Sequence, residues 1–309
     1  MIKKLIYKIF FKNFFRKKIY MSGLSHLLNM REKYPNIRSL SDVDFKIFSQ
    51  NGEDGIIDYL LYQLNIEKPK FVEIGVGDYT EANTRFIFER TSSKGAVIDS
   101  ICDLENKIKK NLAVWRGELN IINKSVNSKN IIDILQSDDA MRDLDLFSLD
   151  IDGIDYWILD KLPNNFSKIA IIEYNPIFGW DMEVSVPNID NFDRTKYHYS
   201  NLCFGMSLKA AIKIMENKNF YFVGSSLFRN NAFFISNDFD KNKYFSNLII
   251  GEYEKYIDSN FSESRNKANK LNYLNKKKQI DTIMNCEVID LSNQNKQLKK
   301  IKEILDKKL

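Results

Sequence analysis

The first concentration of chemistry in the chain is Glu73-Ile74-Gly75-Val76-Gly77-Asp78. Gly75 permits a tight turn, and Gly77 lets a ligand approach the backbone closely. Asp99 follows about 20 residues later, the spacing at which a carboxylate can hold ribose hydroxyls. A glycine turn and a distant acid of this kind read as a nucleoside-cofactor site. The turn carries Glu73, Asp78 and Glu81, and the third glycine of the G-x-G-x-x-G pattern is replaced by Thr80. Both features count against a dinucleotide pyrophosphate. Negative charge suits a cofactor with a cationic centre and no phosphate.

Two further groups of polar residues stand downstream. Asp150 and Asp152 close one apolar run; Glu173 and Asn175, separated by Tyr174, close the next. Asp150, Asp152, Glu173 and Asn175, three carboxylates and an amide, offer oxygen ligands of the kind Mg²⁺ takes, with Asp152, Glu173 and Asn175 as the leading candidates. The same residues also fit a plainer role, since Asp152-Gly153 is turn chemistry and Asp155 can cap a helix. His198, in Tyr197-His198-Tyr199, is one of two histidines and the natural general-base candidate, with Asp150 as the second catalytic candidate. Trp180, Tyr197 and Tyr199 suit stacking on a sugar face or anchoring of a loop.

These residues need a frame that gathers them. Glu53–Leu64 places Ile56, Ile57, Leu60, Leu61 and Leu64 on one helical face, with Ser49 and Asn51 as its expected caps. Strands are expected at 71–74, 96–98, 120–126, 144–149 and 169–172, alternating with helices near 81–90, 103–112, 128–135 and 155–162. Residues 177–205 read as a long irregular stretch. Ser207 caps a further helix, and strands at 221–224 and 232–235 follow so closely that they must pair antiparallel. From 241 onward the pattern is helical, without strand signals. The sum is an α/β fold with a doubly wound, Rossmann-like, mostly parallel seven-stranded sheet, an antiparallel C-terminal hairpin and helical extensions at both ends. Ligands bind such sheets at the carboxyl ends of their strands. Glu73, Asp99, Asp150, Asp152, Glu173 and Asn175 all fall there.

With that frame, EIGVGD at 73–78, Asp99 and the terminal strand pair resemble a class I S-adenosylmethionine (SAM)-dependent methyltransferase. Ser49-Gln50-Asn51-Gly52-Glu53-Asp54, Glu81-Ala82-Asn83-Thr84-Arg85 and Asn230-Asn231-Ala232-Phe233-Phe234 resemble its FkbM-like branch, which is linked to O-methylation in polysaccharide and secondary-metabolite synthesis. The resemblance covers about residues 45–240. It implies that Glu73, Gly75 and Gly77 line the methionine part of SAM and that Asp99 holds its ribose. Asp78, Asn83, Thr84 and Asp150 are the other expected cofactor contacts. Tyr79 replaces the third small residue of the usual E-x-G-x-G-x-G run. Competing readings are a non-catalytic binding or scaffold protein on the same fold, an NAD-dependent oxidoreductase, and a nucleic-acid base methyltransferase. Asn175-Pro176-Ile177-Phe178 only partly matches the N-P-P-[YF] motif of the last.

Charge narrows the partners. The 309 residues carry 46 basic and 41 acidic side chains. Residues 1–20 hold seven bases and no acid, and residues 294–309 hold six bases and two acids. The body between them is therefore acidic, which disfavours nucleic acid and leaves a small-molecule or glycan substrate. Residues 133–160 alone carry nine acids against Arg142. The three cysteines include no C-x-x-C pair, so a reducing cytoplasm is expected. The expected division is a basic helical extension over 1–44, the cofactor domain over 45–240 and a basic helical extension over 241–309. The first 20 residues lack an apolar run long enough to span a bilayer. They read either as an interfacial helix at the inner face of the membrane, with Phe10, Phe11, Phe14 and Phe15 in lipid, or as a basic helix packed on the domain.

Overall fold

The computed structural model describes residues 2–249, 261–293 and 295–306, with side chains of the first helix described at residues 14–15 and from 17 onward. Among the described residues, ten strands form two sheets. The main sheet contains β1 (Phe71–Ile74), β2 (Lys94–Asp99), β3 (Glu118–Asn123), β4 (Leu144–Leu149), β5 (Ser167–Glu173), β7 (Phe220–Ser225) and β8 (Asn231–Ser236). β6 (Val184–Ser185), β9 (Glu287–Asp290) and β10 (Gln297–Lys300) make a small second sheet.

The main sheet runs in the order β3-β2-β1-β4-β5-β8-β7. β3 through β5 are parallel, and β8 lies antiparallel to both of its neighbours. Strand order reverses between β1 and β4. A crevice at that point is the expected ligand position in a doubly wound sheet.

Alternate residues of each strand feed two cores, as strict period-2 geometry requires. Val72, Ile74, Ala96, Phe147, Leu149 and Ile172 pack on one face against the helices Asp155–Lys161 and Leu208–Asn217. Phe71, Val97, Leu146, Ile169, Ile171 and Phe233 pack on the other, against the helix Glu53–Gln63 and the segment around it. The central strands are therefore largely apolar on both sides, and most of their polar side chains stand near their ends.

The C-terminal extension differs from the expected all-helical pattern. β9 pairs with β10 and with β6, and helices Lys276–Ile283 and Ile301–Leu305 flank them. Glu287-Val288-Ile289-Asp290 and Gln297-Leu298-Lys299-Lys300 are too short and too polar to give a strand period on their own. Ile283, Cys286, Val288, Ile301 and Ile304 form a separate core with Ile177, Phe178, Val184, Leu202 and Cys203. The irregular stretch 177–205 is thus the surface on which the C-terminal segment folds. Several expected caps also have other work. Ser49 Oγ accepts from the Asp54 N–H in the first turn of its helix at 3.2 Å, while its own N–H and hydroxyl donate to the Asp54 carboxylate; Ser207 accepts from the Ala210 N–H at 3.2 Å as expected, and Ser128 bonds Asn188.

The first helix, Ile2–Arg31, ends on the body. Leu27 packs with Phe48 and Phe86, and Arg31 reaches the buried Asp58. Phe14, Ile19, Met21 and Leu28 face solvent. The side chains of Phe10 and Phe11 lie outside the described residues. Among those described, no helix is long and apolar enough to cross a membrane.

Candidate functional site

The carboxyl ends of β1, β2, β4 and β5 and the amino end of the antiparallel β8 open into one cleft of about 640 Å³. Register explains how residues far apart in sequence meet there. Ile74 pairs with Leu149 and Ile172 with Leu149, so Gly75, Asp150 and Glu173 fall in one row just beyond the ladder. Glu173 pairs directly with Asn231 across the antiparallel boundary. Asp99 ends β2 beside the same row.

The glycine turn is built by close backbone approach. Gly75 adopts φ +88°, and a Cβ there would lie 1.5 Å from the carbonyl oxygen of Asp150. Gly77 adopts φ +54° with nothing within 4 Å of where its Cβ would stand, so this backbone faces open space. Its N–H donates to Asp99 Oδ2 at 2.8 Å, and the Ile101 N–H donates to Oδ1 at 2.9 Å. Each carboxylate oxygen retains a lone pair for a further donor. Asp99 therefore fixes the turn and still presents acceptors to the cleft.

Glu73 lines the cleft and has a second, structural part. Its Oε1 accepts from the Asn83 N–H at 2.7 Å, and its Oε2 accepts from the Thr84 N–H at 2.9 Å and the Thr84 hydroxyl at 2.5 Å. Burial pushes its carboxyl up, against the pull of these donors. Glu73 thus ties down the loop that follows the turn. Thr84 is fully buried beneath that loop, bonded to Glu73 and Tyr79 rather than facing the cleft. Asn83 lines the cleft while its amide donates to Ser148 Oγ at 3.0 Å. Arg85 Nη1 closes the loop onto the carbonyls of Tyr79 and Thr80 and stacks its guanidinium over Phe48. Asp78 lines the cleft with its Oδ1 occupied by Thr80.

Asp150, Asp152 and Glu173 bring one carboxylate oxygen each within 4.8 Å of one another. Burial and then the charge of Asp152 push Asp150 well up; burial and then Asp150 do the same to Glu173. Asp152 is eased by Arg194, whose Nη1 lies 2.6 Å from its Oδ1. Asn175 is not part of this group. Its side chain is fully buried and spent on structure: Oδ1 accepts from the Ile177 N–H, and Nδ2 donates to the carbonyls of Leu202 and Phe204. Of the four residues expected to offer oxygen ligands, Asp150, Asp152 and Glu173 come together and Asn175 does not. Asp155 accepts from the Ile151 and Gly153 N–H groups at 3.0 Å each, bracing the turn rather than capping its helix.

His198 is not among the residues that line the cleft. Its Nδ1 bonds Ser200 Oγ at 2.6 Å, its ring packs on Tyr199, and burial pulls its pKa down. The same short helix, Arg194–Tyr197, instead turns Arg194 into the cleft. Tyr197 donates to the Glu287 carbonyl, and the aromatic rings that line the cleft are Phe192, Phe228 and Phe261. Phe261 and Glu263 were hidden in an Asn/Lys-rich stretch with no pattern to mark them. The acid-rich run 133–160 divides as well. Asp133, Asp138, Asp139, Asp143 and Asp145 precede or begin β4; Asp150, Asp152, Asp155 and Asp160 follow it, and of these Asp150 and Asp152 line the cleft. Even so, the cleft is lined by eight acids against Lys124 and Arg194.

The three motifs that carried the family resemblance meet at this cleft. Glu53 Oε1 accepts from Asn231 Nδ2 at 2.9 Å, and Asn51 Nδ2 donates to Asn230 Oδ1 at 3.3 Å. The 49–54 and 230–234 segments are thereby joined across about 180 residues of sequence.

The protein is a doubly wound, Rossmann-like α/β protein with a polar, acidic cleft at the strand-order reversal. No family model and no curated protein sequence matches the chain. Among solved structures it is similar to PKMT2 from Rickettsia typhi in complex with AdoHcy, at 13% identity and a TM-score of 0.40, over 68% of this chain and 58% of that one. It is similar to a S-adenosylmethionine-dependent methyltransferase from Clostridium acetobutylicum ATCC 824, at 8% identity and a TM-score of 0.38, over 60% and 90%. A third likeness is to LepI in complex with SAM, at 13% identity and a TM-score of 0.35, over 71% and 63%. The chain spans about half the length of the pyocyanin biosynthetic protein PhzM, another structure it resembles, with 53% of that chain covered.

Proposed function

We propose that the protein is a SAM-dependent methyltransferase that methylates a hydroxyl of a sugar or glycan-related small molecule. The observation that carries the cofactor assignment is the Gly75–Gly77 turn held open against Asp99 within an acidic cleft. The residues fit the group. Gly77 presents bare backbone to open space, Asp99 keeps acceptors for ribose hydroxyls, and the cleft's excess negative charge suits a sulfonium. When bound, SAM supplies an electrophilic methyl group. What this chain supplies is position, the main requirement of an in-line transfer. Asp150 and Glu173 are acceptors able to orient a hydroxyl beside the turn. Phe192, Phe228 and Phe261 form apolar walls suited to a sugar face, and Asn51 and Asn230 add amide groups suited to its hydroxyls. The glycan class rests on the resemblance to the FkbM-like branch.

Calorimetry with SAM and S-adenosylhomocysteine tests this. The wild-type chain is expected to bind one equivalent of either, and Asp99→Ala to weaken both at least tenfold. No binding by wild type, or undiminished binding by the variant, removes the cofactor assignment.

We also propose that the first helix lies on an anionic lipid surface. Phe14, Met21 and Leu28 recur every seven residues on its outward side, and seven bases without an acid occupy residues 1–20. The full chain is expected to sediment with vesicles containing phosphatidylserine and not with phosphatidylcholine alone. The Phe14→Ser/Met21→Ser double variant should lose most of that binding. Equal sedimentation of the two proteins would defeat the proposal.

A further inference from the structure

We infer that Asp150, Asp152, Glu173 and Asn231 form a divalent-cation site at the row where β4 and β5 end and β8 begins. The four residues come from three adjacent strand ends. Parallel register carries Asp150 alongside Glu173, and antiparallel register sets Asn231 directly opposite Glu173, so their side chains share one face of the sheet. One carboxylate oxygen from each acid lies within 4.8 Å of the others, a spacing that an ion with oxygen ligands at about 2–2.6 Å can bridge.

The acids alone would not carry this inference. The second observation is a pair of buried oxygens lacking a hydrogen-bond partner among the described residues: Glu173 Oε2 and Asn231 Oδ1. Asn231 is 2% exposed. Its amide orientation is fixed chemically, because Nδ2 donates at 2.9 Å to Glu53 Oε1, an acceptor, so the oxygen must point elsewhere. A buried carbonyl oxygen left without a donor costs about 1–3 kcal/mol. A cation is the ligand that answers two orphaned oxygens and a carboxylate cluster together. Of the three acids Arg194 relieves Asp152, while Asp150 and Glu173 hydrogen-bond each other and have no basic partner among the described residues. The donor set is entirely oxygen, with no imidazole or thiolate, which selects Mg²⁺, Mn²⁺ or Ca²⁺ over zinc or copper. Asp150 is also the residue whose carbonyl abuts Gly75, so an ion here would sit beside the proposed cofactor turn, where an acceptor hydroxyl could join its coordination shell.

The site stands apart from the cofactor assignment and is tested separately from it. Mn²⁺ titration of the full chain, followed by electron paramagnetic resonance, is expected to show one bound ion per chain, displaced by excess Mg²⁺. Glu173→Gln and Asn231→Ala should each weaken binding at least tenfold. Glu81→Gln, which removes an exposed cleft acid outside the set, should bind as wild type. Circular dichroism verifies that the variants are folded. Absence of a bound ion in wild type at millimolar Mn²⁺ overturns the inference, whatever the variants do. So does binding that the Glu173 and Asn231 substitutions leave unchanged. S-Adenosylhomocysteine calorimetry on the same samples separates the two proposals. A chain that takes the nucleoside but not Mn²⁺ lacks the cation site, and one that takes Mn²⁺ but not the nucleoside lacks the cofactor function.

Discussion

Asp58→Ala is expected to lower the unfolding free energy by about 3–5 kcal/mol, the range for breaking a buried ion pair by removing one partner. Asp58 is buried in the middle of the helix Glu53–Gln63. Its Oδ1 accepts from Arg31 Nη2 at 2.7 Å and from Arg90, and its Oδ2 accepts from Arg31 Nε and the Tyr34 hydroxyl at 2.9 Å each. One carboxylate thus answers two guanidinium groups and a phenol from three different segments. Removing it leaves Arg90, 15% exposed, positively charged in a poorly solvated position. Arg31 is 31% exposed and can turn to water, so Arg31→Met should cost far less. Urea unfolding followed by circular dichroism gives both values. A change under about 1 kcal/mol for Asp58→Ala would show that the arginines find other partners. The consequence reaches the cleft, because the same helix begins at Glu53, which holds Asn231. Asp58→Ala should therefore also weaken Mn²⁺ binding, although Asp58 touches no ligand.

The parts of this molecule that were legible in the sequence are those set by short-range rules. Apolar runs bounded by polar residues located all seven strands of the main sheet. Two strands separated by a short turn had to pair antiparallel. The tendency of strand ends to face a ligand then selected Gly75, Gly77, Asp99, Asp150 and Glu173, all of which line one cleft. What was illegible depends on where side chains point after the chain has folded. Glu73 lines the cleft as expected, but its second task, accepting from the Asn83 and Thr84 N–H groups, depends on the folded loop and has no sequence signal. Asn175 stands two residues from Glu173, yet the strand has ended, and the local turn rotates its amide toward residues 202–204 instead of the cleft. His198 was selected for its pKa alone, which carries no positional information. Glu263, Phe261 and Asn231 reach the cleft only through long-range packing.

The basic C-terminus is a case where composition misleads for a physical reason. Its lysines read as a solvated tail. Lys299 Nζ instead pairs with the buried Asp290, 2.5 Å away on the neighbouring strand, and Lys296 reaches Asp160 and lies over Trp157. Part of the charge excess at that end is thereby consumed inside the second sheet. The small core built by Ile283, Val288, Ile301 and Ile304 then fixes the neighbourhood of Phe261 and Glu263. The extension is a wall of the cleft rather than an appendage to it.

Gly75→Ala should abolish nucleoside binding, with at least a hundredfold loss of S-adenosylhomocysteine affinity, and should lower the thermal midpoint measurably. Two penalties act together. The backbone is at φ +88°, where an alanine is strained, and its Cβ would stand 1.5 Å from the Asp150 carbonyl oxygen and 2.6 Å from the carbonyl carbon. The obstacle is backbone, which no rotamer change can clear. β1 and β4 must separate at their carboxyl ends, and that motion displaces the turn and Asp150 at once. Gly77→Ala is the matched control. Its φ of +54° costs about 1–2 kcal/mol for a residue with a Cβ, but there is no clash. Its stability should fall only by that amount, and its affinity should fall through occlusion of the open face alone. Differential scanning fluorimetry and calorimetry on the two variants separate the effects. The expected order is a larger stability loss for Gly75→Ala than for Gly77→Ala. Equal loss of stability in both would mean that φ alone governs the turn and that the close approach to Asp150 is relieved without cost. In that event the cofactor turn and the carboxylate row would be independent structures. The close approach of Gly75 to Asp150 makes them one: the glycine that shapes the nucleoside turn also sets the position of the first acid in the row.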